Sequence, residues 1–355
     1  MFVKAIGRRK FVSIATLSLL AGCKVIPQGV PETAPPVETP SATALPADQQ
    51  RHRVALLVPL SGPNAAVGQS IANATTMALL DTNASNLRIT TYDTAAGVPS
   101  VAAKAVADGN KLILGPLLGD DVPAVAATAR GAKVPVIAFS NDTTVAARDV
   151  FIMGSVPAQS IDRTVAHARL QGANRFAALV PVGEYGQRAS DAMIASVRAH
   201  GGSLVGMETY DRASASMGAA ARRLKAKGPY DAVLLADGAR HAAQAAPVVK
   251  TSAATRILGT ELWSGETVIA NTPALRGAYF SAVSDARFRQ FAESYKSRFG
   301  AQPYRIATLG YDSVLLTLRV ARDWKPGTTF PTARLFDRDG FLGLDGAFRF
   351  SANGV

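Results

Sequence analysis

Val54-Ala55-Leu56-Leu57-Val58-Pro59-Leu60-Ser61-Gly62-Pro63 is a seven-residue apolar run closed by a turn signal, and it decides how the rest of the chain is read. A run that is apolar at every position, and not only at alternate ones, is the pattern of a strand buried on both faces. After the turn, Val67, Ile71, Ala74 and Ala78 fall at helical spacing. The alternation then continues through strand Leu87 to Tyr92, helix Val101 to Ala107, strand Leu112 to Leu114, helix Val122 to Arg130, strands Val134 to Phe139 and Val150 to Gly154, helix Ile161 to Leu170 and strand Phe176 to Val180. A second series follows, with helices Arg188 to His200, Met217 to Lys227 and Ala242 to Val249 between strands Ser203 to Tyr210, Ala232 to Ala236 and Arg256 to Gly259. Strands alternating with helices across short loops imply an α/β fold with parallel sheets covered by helices on both faces. Roughly three hundred residues from Arg51 onward suffice for two such sheets, and hence two lobes. The return starts near Ala278-Tyr279-Phe280, runs through helices Phe288 to Phe299 and Ile306 to Ala321, and ends in a hairpin around Leu344-Asp345-Gly346-Ala347. There Asp-Gly is expected to supply the positive φ angles of a tight turn.

Upstream of the first strand the sequence is an address followed by a tether. Lys4, Arg8, Arg9 and Lys10 precede the predominantly apolar stretch Phe11 to Leu20, which ends in Leu20-Ala21-Gly22-Cys23. A charged start, an apolar stretch half the roughly twenty residues needed to span a bilayer, and small residues at the junction make an export signal and not a membrane helix. Cys23 is the only cysteine in the chain, and its setting resembles a bacterial lipobox, in which the thiol is acylated and becomes the new N-terminus. Lys24 stands where an aspartate would resemble an inner-membrane retention signal, so the periplasmic side of the outer membrane is the expected destination. Arg8-Arg9-Lys10-Phe11 is similar to a twin-arginine signal and equally to ordinary n-region charges, so the export route stays open. From Lys24 to Gln50 the chain has six prolines and no aromatic residue. Such a segment cannot bury enough to fold and, in polyproline II at about 3.1 Å per residue, holds the following domain tens of ångströms from its anchor.

Composition excludes several functions. With no cysteine beyond Cys23, thiolate chemistry and cysteine-ligated zinc are absent, and stability rests on packing. The formal charge of +12 comes from arginines and lysines scattered singly along helices, with no dense basic tract interleaved with aromatics. It reads as a solvated basic surface, and no nucleic-acid partner is expected. The four histidines, His52, His167, His200 and His241, stand far apart without carboxylate or cysteine partners at metal-ligand spacing. They read as surface or helix-end residues, so no metal site is expected. No Gly-x-Ser-x-Gly elbow, Ser-x-x-Lys, P-loop or dinucleotide fingerprint occurs, so neither catalytic residues nor a cofactor is assigned. What recurs is polar punctuation where strands end, the edge at which open α/β sheets bind ligands. Ser61, Ser140, Asn141, Tyr185, Asp237 and Glu261 are the candidate cleft residues. Each alone is also what an ordinary βα loop or helix cap looks like.

The order of motifs resembles a known superfamily. Val54 to Pro63 with Gly68-Gln69, Leu114-Gly115-Pro116-Leu117, Pro135-Val136-Ile137-Ala138, Glu184-Tyr185-Gly186, Tyr230-Asp231-Ala232-Val233, Leu258-Gly259-Thr260-Glu261 and Gly310-Tyr311-Asp312 are similar to the type I periplasmic-binding fold of the leucine-binding branch. The resemblance implies two Rossmann-like lobes joined by three crossovers, lobe one at 51–155 and 280–355 and lobe two at 156–279, with a closing strand beyond Val355. The lipobox, the tether, Phe151-Ile152-Met153-Gly154 with Pro157 and Gln159, Tyr304 to Leu309, and Gly340-Phe341 to Phe350 further resemble the penicillin-binding-protein activator lipoproteins. That resemblance implies a lipid-anchored, non-enzymatic regulator whose partner is a peptidoglycan synthase. The enteric activators also carry a helical N-terminal domain that is absent here. The alternative is a solute-binding lipoprotein of an ABC importer for amino acids or amides. In that case Tyr185 is implied to lie over the ligand, Glu261 to meet its amine, and Phe139 to Thr143 to hold its carboxylate. Asp142 in that loop would repel such an anion, and Asp237 with Glu261 would favour a cationic ligand or none.

Overall fold

The computed structural model describes residues 50–355; the export signal, Cys23 and the tether through residue 49 lie outside the described residues. Strands β1 (His52–Val58), β2 (Leu87–Asp93), β3 (Leu112–Leu114), β4 (Val136–Ala138) and β5 (Val150–Ile152) form a five-stranded parallel sheet in the order β2-β1-β3-β4-β5. Helices α1 (Ala65–Asp81), α2 (Val98–Ala107) and α3 (Val122–Arg130) connect its strands. The chain then crosses through α4 (Pro157–Leu170) into a second parallel sheet made of β6 (Arg175–Pro181), β7 (Ser203–Tyr210), β8 (Ala232–Leu235) and β9 (Arg256–Leu258), in the order β7-β6-β8-β9. Its helices are α5 (Glu184–Ala199), α6 (Ser216–Ala226) and α7 (Ala239–Val249). After the short helix α8 (Thr267–Asn271), the chain returns to the first lobe through α9 (Asp285–Phe299) and α10 (Thr308–Ala321). It ends in the antiparallel hairpin β10 (Phe341–Gly343) and β11 (Gly346–Phe348).

The uninterrupted apolar run of β1 is explained by burial on both faces. Val54, Leu56 and Val58 join a core with α1, α10, Trp324 and Phe330, while Ala55 and Leu57 face Ala102 and Val125 on the other side. Strand lengths depart from the sequence reading where the backbone has no ladder partner to offer. Val134 to Phe139 reads as one strand, but β4 covers only Val136–Ala138: Val134 N–H bonds back to the Ala129 carbonyl of α3 at 3.2 Å, Pro135 has no N–H, and Phe139 N–H meets the Pro116 carbonyl beyond β3 at 2.9 Å. Tyr279 adds only a single parallel bridge to the second sheet, on Leu258. The Gly354 carbonyl accepts from Ile152 N–H at 2.8 Å, covering part of the edge strand β5. Among the described residues no helix is long and apolar enough to cross a membrane.

Two expectations are corrected. His52 is a core residue, 3% exposed and stacked on Trp324 with ring centroids 4.1 Å apart, and burial lowers its pKa. The hairpin loop is Leu344-Asp345, with Gly343 paired to Gly346, so a positive φ occurs at Gly346 alone (106°) and not across Asp-Gly. In place of a two-residue left-handed turn, a side chain holds this loop. Asp312 on α10, 2% exposed, accepts from Leu344 N–H at 2.6 Å and from Asp345 N–H at 3.3 Å.

Burial, reinforced by the nearby Asp345 charge, raises the Asp312 pKa to about 7 against those two hydrogen bonds and Arg305. The acid is therefore protonated in the folded state over a range where it is ionised in the unfolded chain. Its contribution to stability is complete below about 4 and is lost as pH rises to about 7. Asp312→Asn keeps an acceptor for Leu344 and cannot ionise. Its denaturant stability should lose the parent's decline between pH 4 and 7, and parallel curves would assign that decline to other groups.

Candidate functional site

The opening turn of α5 builds the second-lobe half of the site. A Cβ on Gly186 would lie 1.6 Å from the Pro181 carbonyl oxygen, so only glycine lets this turn settle onto the end of β6. That approach points Tyr185 at the end of β9, where its Oη lies 2.9 Å from Thr260 Oγ1 and 3.0 Å from Glu261 Oε1. Glu261 Oε2 is buried and has no hydrogen-bond partner in the protein. Burial raises the Glu261 pKa against its own backbone N–H, the Tyr185 hydroxyl and the nearby Ser160, whose hydroxyl proton is already given to the Ser281 carbonyl at 2.6 Å. Burial, then the Glu261 charge, raises the tyrosine's as well.

Asp237, at the end of β8, has a different environment. Arg212 clamps it with Nη2 to Oδ1 at 2.8 Å and Nε to Oδ2 at 2.9 Å, Tyr210 Oη donates to it, and Gly238 N–H donates at 2.7 Å. Burial alone would raise its pKa, but these donors outweigh burial and hold the carboxyl below its usual range. His241 Nδ1 is 3.6 Å away. The expected pair of free carboxylates is therefore one partnered group, Asp237, and one half-partnered group, Glu261. Among the described residues no three His, Cys, Asp or Glu side chains are grouped to hold a metal ion.

The first-lobe half comes from the ends of β1, β2 and β4. Asp93 accepts from Leu60 N–H at 2.7 Å and from Ser61 Oγ at 2.8 Å, so Ser61 is fixed to the rim of its own lobe. Ser140 is buried, and its Oγ accepts from Asp142 N–H at 3.0 Å. Asn141 and Asp142 meet a residue that the sequence reading did not single out. Arg188 on α5, one turn after Tyr185, donates to Asn141 Oδ1 at 3.1 Å and to Asp142 Oδ2 at 2.9 Å across the two lobes. The same Arg188 Nη2 lies 2.9 Å from Glu184 Oε2. Burial works against ionisation of Asp142, but Thr144 and Arg188 overcome it and lower its pKa. The Asp142 charge thus faces a guanidinium of its own chain. The only sequence signal for Arg188 was the i,i+4 pair with Glu184, which reads as a surface helix contact.

The site therefore lies between two lobes, at the carboxyl ends of two parallel sheets, with an arginine clasp beside a buried unpartnered carboxylate oxygen. A family model described as periplasmic binding protein matches residues 52–338. A putative branched-chain amino acid ABC transporter protein from Rhodospirillum rubrum superposes with a TM-score of 0.72 at 20% identity, covering 86% of this chain and 94% of that one. The branched-chain amino acid substrate-binding protein LivJ from Streptococcus pneumoniae, solved with isoleucine, gives 0.61 at 20% identity, covering 86% and 93%. Uncharacterized protein RP748 of Rickettsia prowazekii is 28% identical over 185 residues, 52% of this chain. The match spans about half of that relative's length, 47%.

If Arg188 and Asp142 act as a clasp, their truncations should couple. In a denaturation cycle of Arg188→Ala, Asp142→Ala and the double variant, the coupling energy should be about 0.5–3 kcal/mol. Additive losses would show that the pair only touches.

Proposed function

The chain belongs to the periplasmic binding protein family, and from that premise we propose that it is a non-enzymatic receptor of the periplasm that captures a small amine-bearing solute between its lobes for an ABC importer. The observation that carries this reading is Glu261 Oε2, buried and without a donor, beside the Tyr185 hydroxyl at the mouth of lobe two. A ligand ammonium would supply the missing donor and a countercharge, while Asp237, held by Arg212, contributes shape and not free charge. The isoleucine carried by LivJ is a ligand of that chemical class.

Thermal unfolding tests this. The protein, refolded to strip carried ligand, is melted against pooled amino acids, amides and amines. A ligand at about a hundred times its Kd adds roughly 2.7 kcal/mol, a rise of a few degrees in a domain of this size. Glu261→Gln should remove the rise. Because the Glu261 pKa is raised, protons compete with the ligand cation, so affinity should weaken as pH falls through that raised pKa. No rise with any pool, from a protein that melts cooperatively, sinks the receptor reading.

A second reading is favoured by one observation: Arg188 occupies the acceptors of the Ser140–Asp142 loop, so the lobes are clasped by the chain itself. A protein whose cleft is closed in this way can act through its surface, as a lipid-anchored activator of a penicillin-binding protein does, with the Pro-rich segment giving reach. Under this reading Glu261→Gln leaves synthase stimulation intact. Both readings place an acyl anchor at Cys23, and Cys23→Ser should move the protein from the detergent phase to the aqueous phase. Retention in detergent would remove the anchor from both.

A further inference from the structure

Two adjoining hollows of about 450 and 490 Å³ lie on the first lobe between α1, α9, α10 and the β10–β11 hairpin. Leu315 and Leu342 line both. Leu342 is 63% exposed because β10 turns Phe341 and Gly343 inward and leaves Leu342 pointing out. The first hollow adds Phe291 and Tyr311, and its charges are matched: Asp81 pairs with Arg298 and the Tyr311 hydroxyl, and Arg287 donates to the Gly343 carbonyl at 3.0 Å. The second hollow differs. Leu315, Leu318 and Arg319 on α10 and its C-cap residue Arg322 fall at i, i+3, i+4 and i+7, which sets two aliphatic side chains and two guanidinium groups in one stripe. Among the described residues, neither Arg319 nor Arg322 has an acidic partner, whereas Arg298 beside the first hollow is paired with Asp81.

We infer that this double hollow docks a segment of a partner protein in which aliphatic side chains are followed by acidic ones. The aliphatic groups fill the space on either side of Leu342, and the carboxylates meet Arg319 and Arg322, whose stems add apolar contact. The relief disfavours a flat bilayer, since Leu342 projects, 63% exposed, between two hollows that a chain segment can fill on either side. Charge disfavours a second copy of this chain, because a twofold contact sets the same patch on itself and brings arginine onto arginine. The net positive charge that remains beyond Lys4, Arg8, Arg9 and Lys10 of the export signal adds attraction for an acidic partner at long range. The surface belongs to lobe one alone and stands whichever solute the cleft takes.

The probe is an array of twelve-residue peptides, each with two leucines and either four acidic residues, four lysines or only neutral polar residues. Anisotropy titrations use the full chain. The acidic set should bind and the others should not, with affinity falling as salt rises. Arg319→Glu combined with Arg322→Glu should weaken binding about tenfold or more and shift preference toward the lysine peptides, and Leu342→Ser should weaken it without changing charge preference. All three side chains point into solvent, so a cooperative melt like the parent's confirms that each variant is folded. Equal binding of the three sets, no binding, or binding indifferent to the charge reversal overturns the inference. So does a concentration-dependent dimer that Leu342→Ser abolishes, which would assign the face to self-association. Binding of phosphatidylglycerol–phosphatidylethanolamine vesicles that depends on the same residues, with no peptide binding, would assign it to lipid and likewise overturn it.

Discussion

The site depends on how closely a helix can approach the end of a strand. In lobe two, Gly186 sits so near the Pro181 carbonyl that any side chain would overlap it, and in lobe one Gly68 meets the Pro59 carbonyl in the same manner, with a Cβ-to-oxygen distance of 1.8 Å. A proline at a strand's end offers a carbonyl but no N–H, so a helix can close over it without stranding a donor. With the first turn of α5 fixed in this way, Tyr185 must overlie Glu261, and Arg188, three residues on, must reach the facing lobe. The contacts to Glu261 and to the facing lobe thus come from side chains three residues apart on one face of one turn.

Three carboxylates near this turn show how environment separates identical chemistry. Asp142 meets Arg188 across the lobes and Asp237 meets Arg212 within its own lobe, and both are held ionised despite burial. Glu261 has the Tyr185 phenol and the Ser160 hydroxyl nearby but no cation, and its ionised form is disfavoured. A buried carboxylate without a countercharge is costly in a purely structural role. The same arrangement is cheap to complete when a cation arrives, which is why the amine-receptor reading is placed at Glu261 and not at the other two.

The fold was legible because parallel strands buried on both faces have an unmistakable pattern, and Val54 to Leu60 shows it without interruption. The candidate residues at strand ends, Tyr185 and Glu261 among them, were legible for the same topological reason. Their partners were not. Arg188 lies 46 residues from Asp142 and Arg212 lies 25 from Asp237, and an arginine on a helix or after a strand looks the same in sequence whether it faces water or a carboxylate. His52 was misplaced because its cover, Trp324, arrives only with the chain's return. The hairpin turn was misplaced by local chemistry, since Asp-Gly suits a tight turn but the Asp312 carboxyl stabilises a register one residue earlier.

The return segment also joins the lobes on its own account. Arg305, just before α10, pairs with Asp345 of the hairpin at 2.8 Å, donates to Ser264 after β9 at 3.3 Å, and lies over the Phe288 ring at 4.4 Å. Two arginines thus tie the lobes together, with different consequences. Arg305 is hemmed in by an aromatic face and by residues next to the crossover, so its contacts involve chain that the covalent path already holds close. Arg188 binds loops that the covalent path leaves free to separate, and water is available to both partners when they part. The Arg188 and Asp142 side chains are largely covered while they are in contact, 23% and 16% exposed, so parting them exchanges the ion pair for hydration. The Arg188 contact is thus one that separation of the lobes must break, while the Arg305 junction lies where the covalent path already holds the chain close.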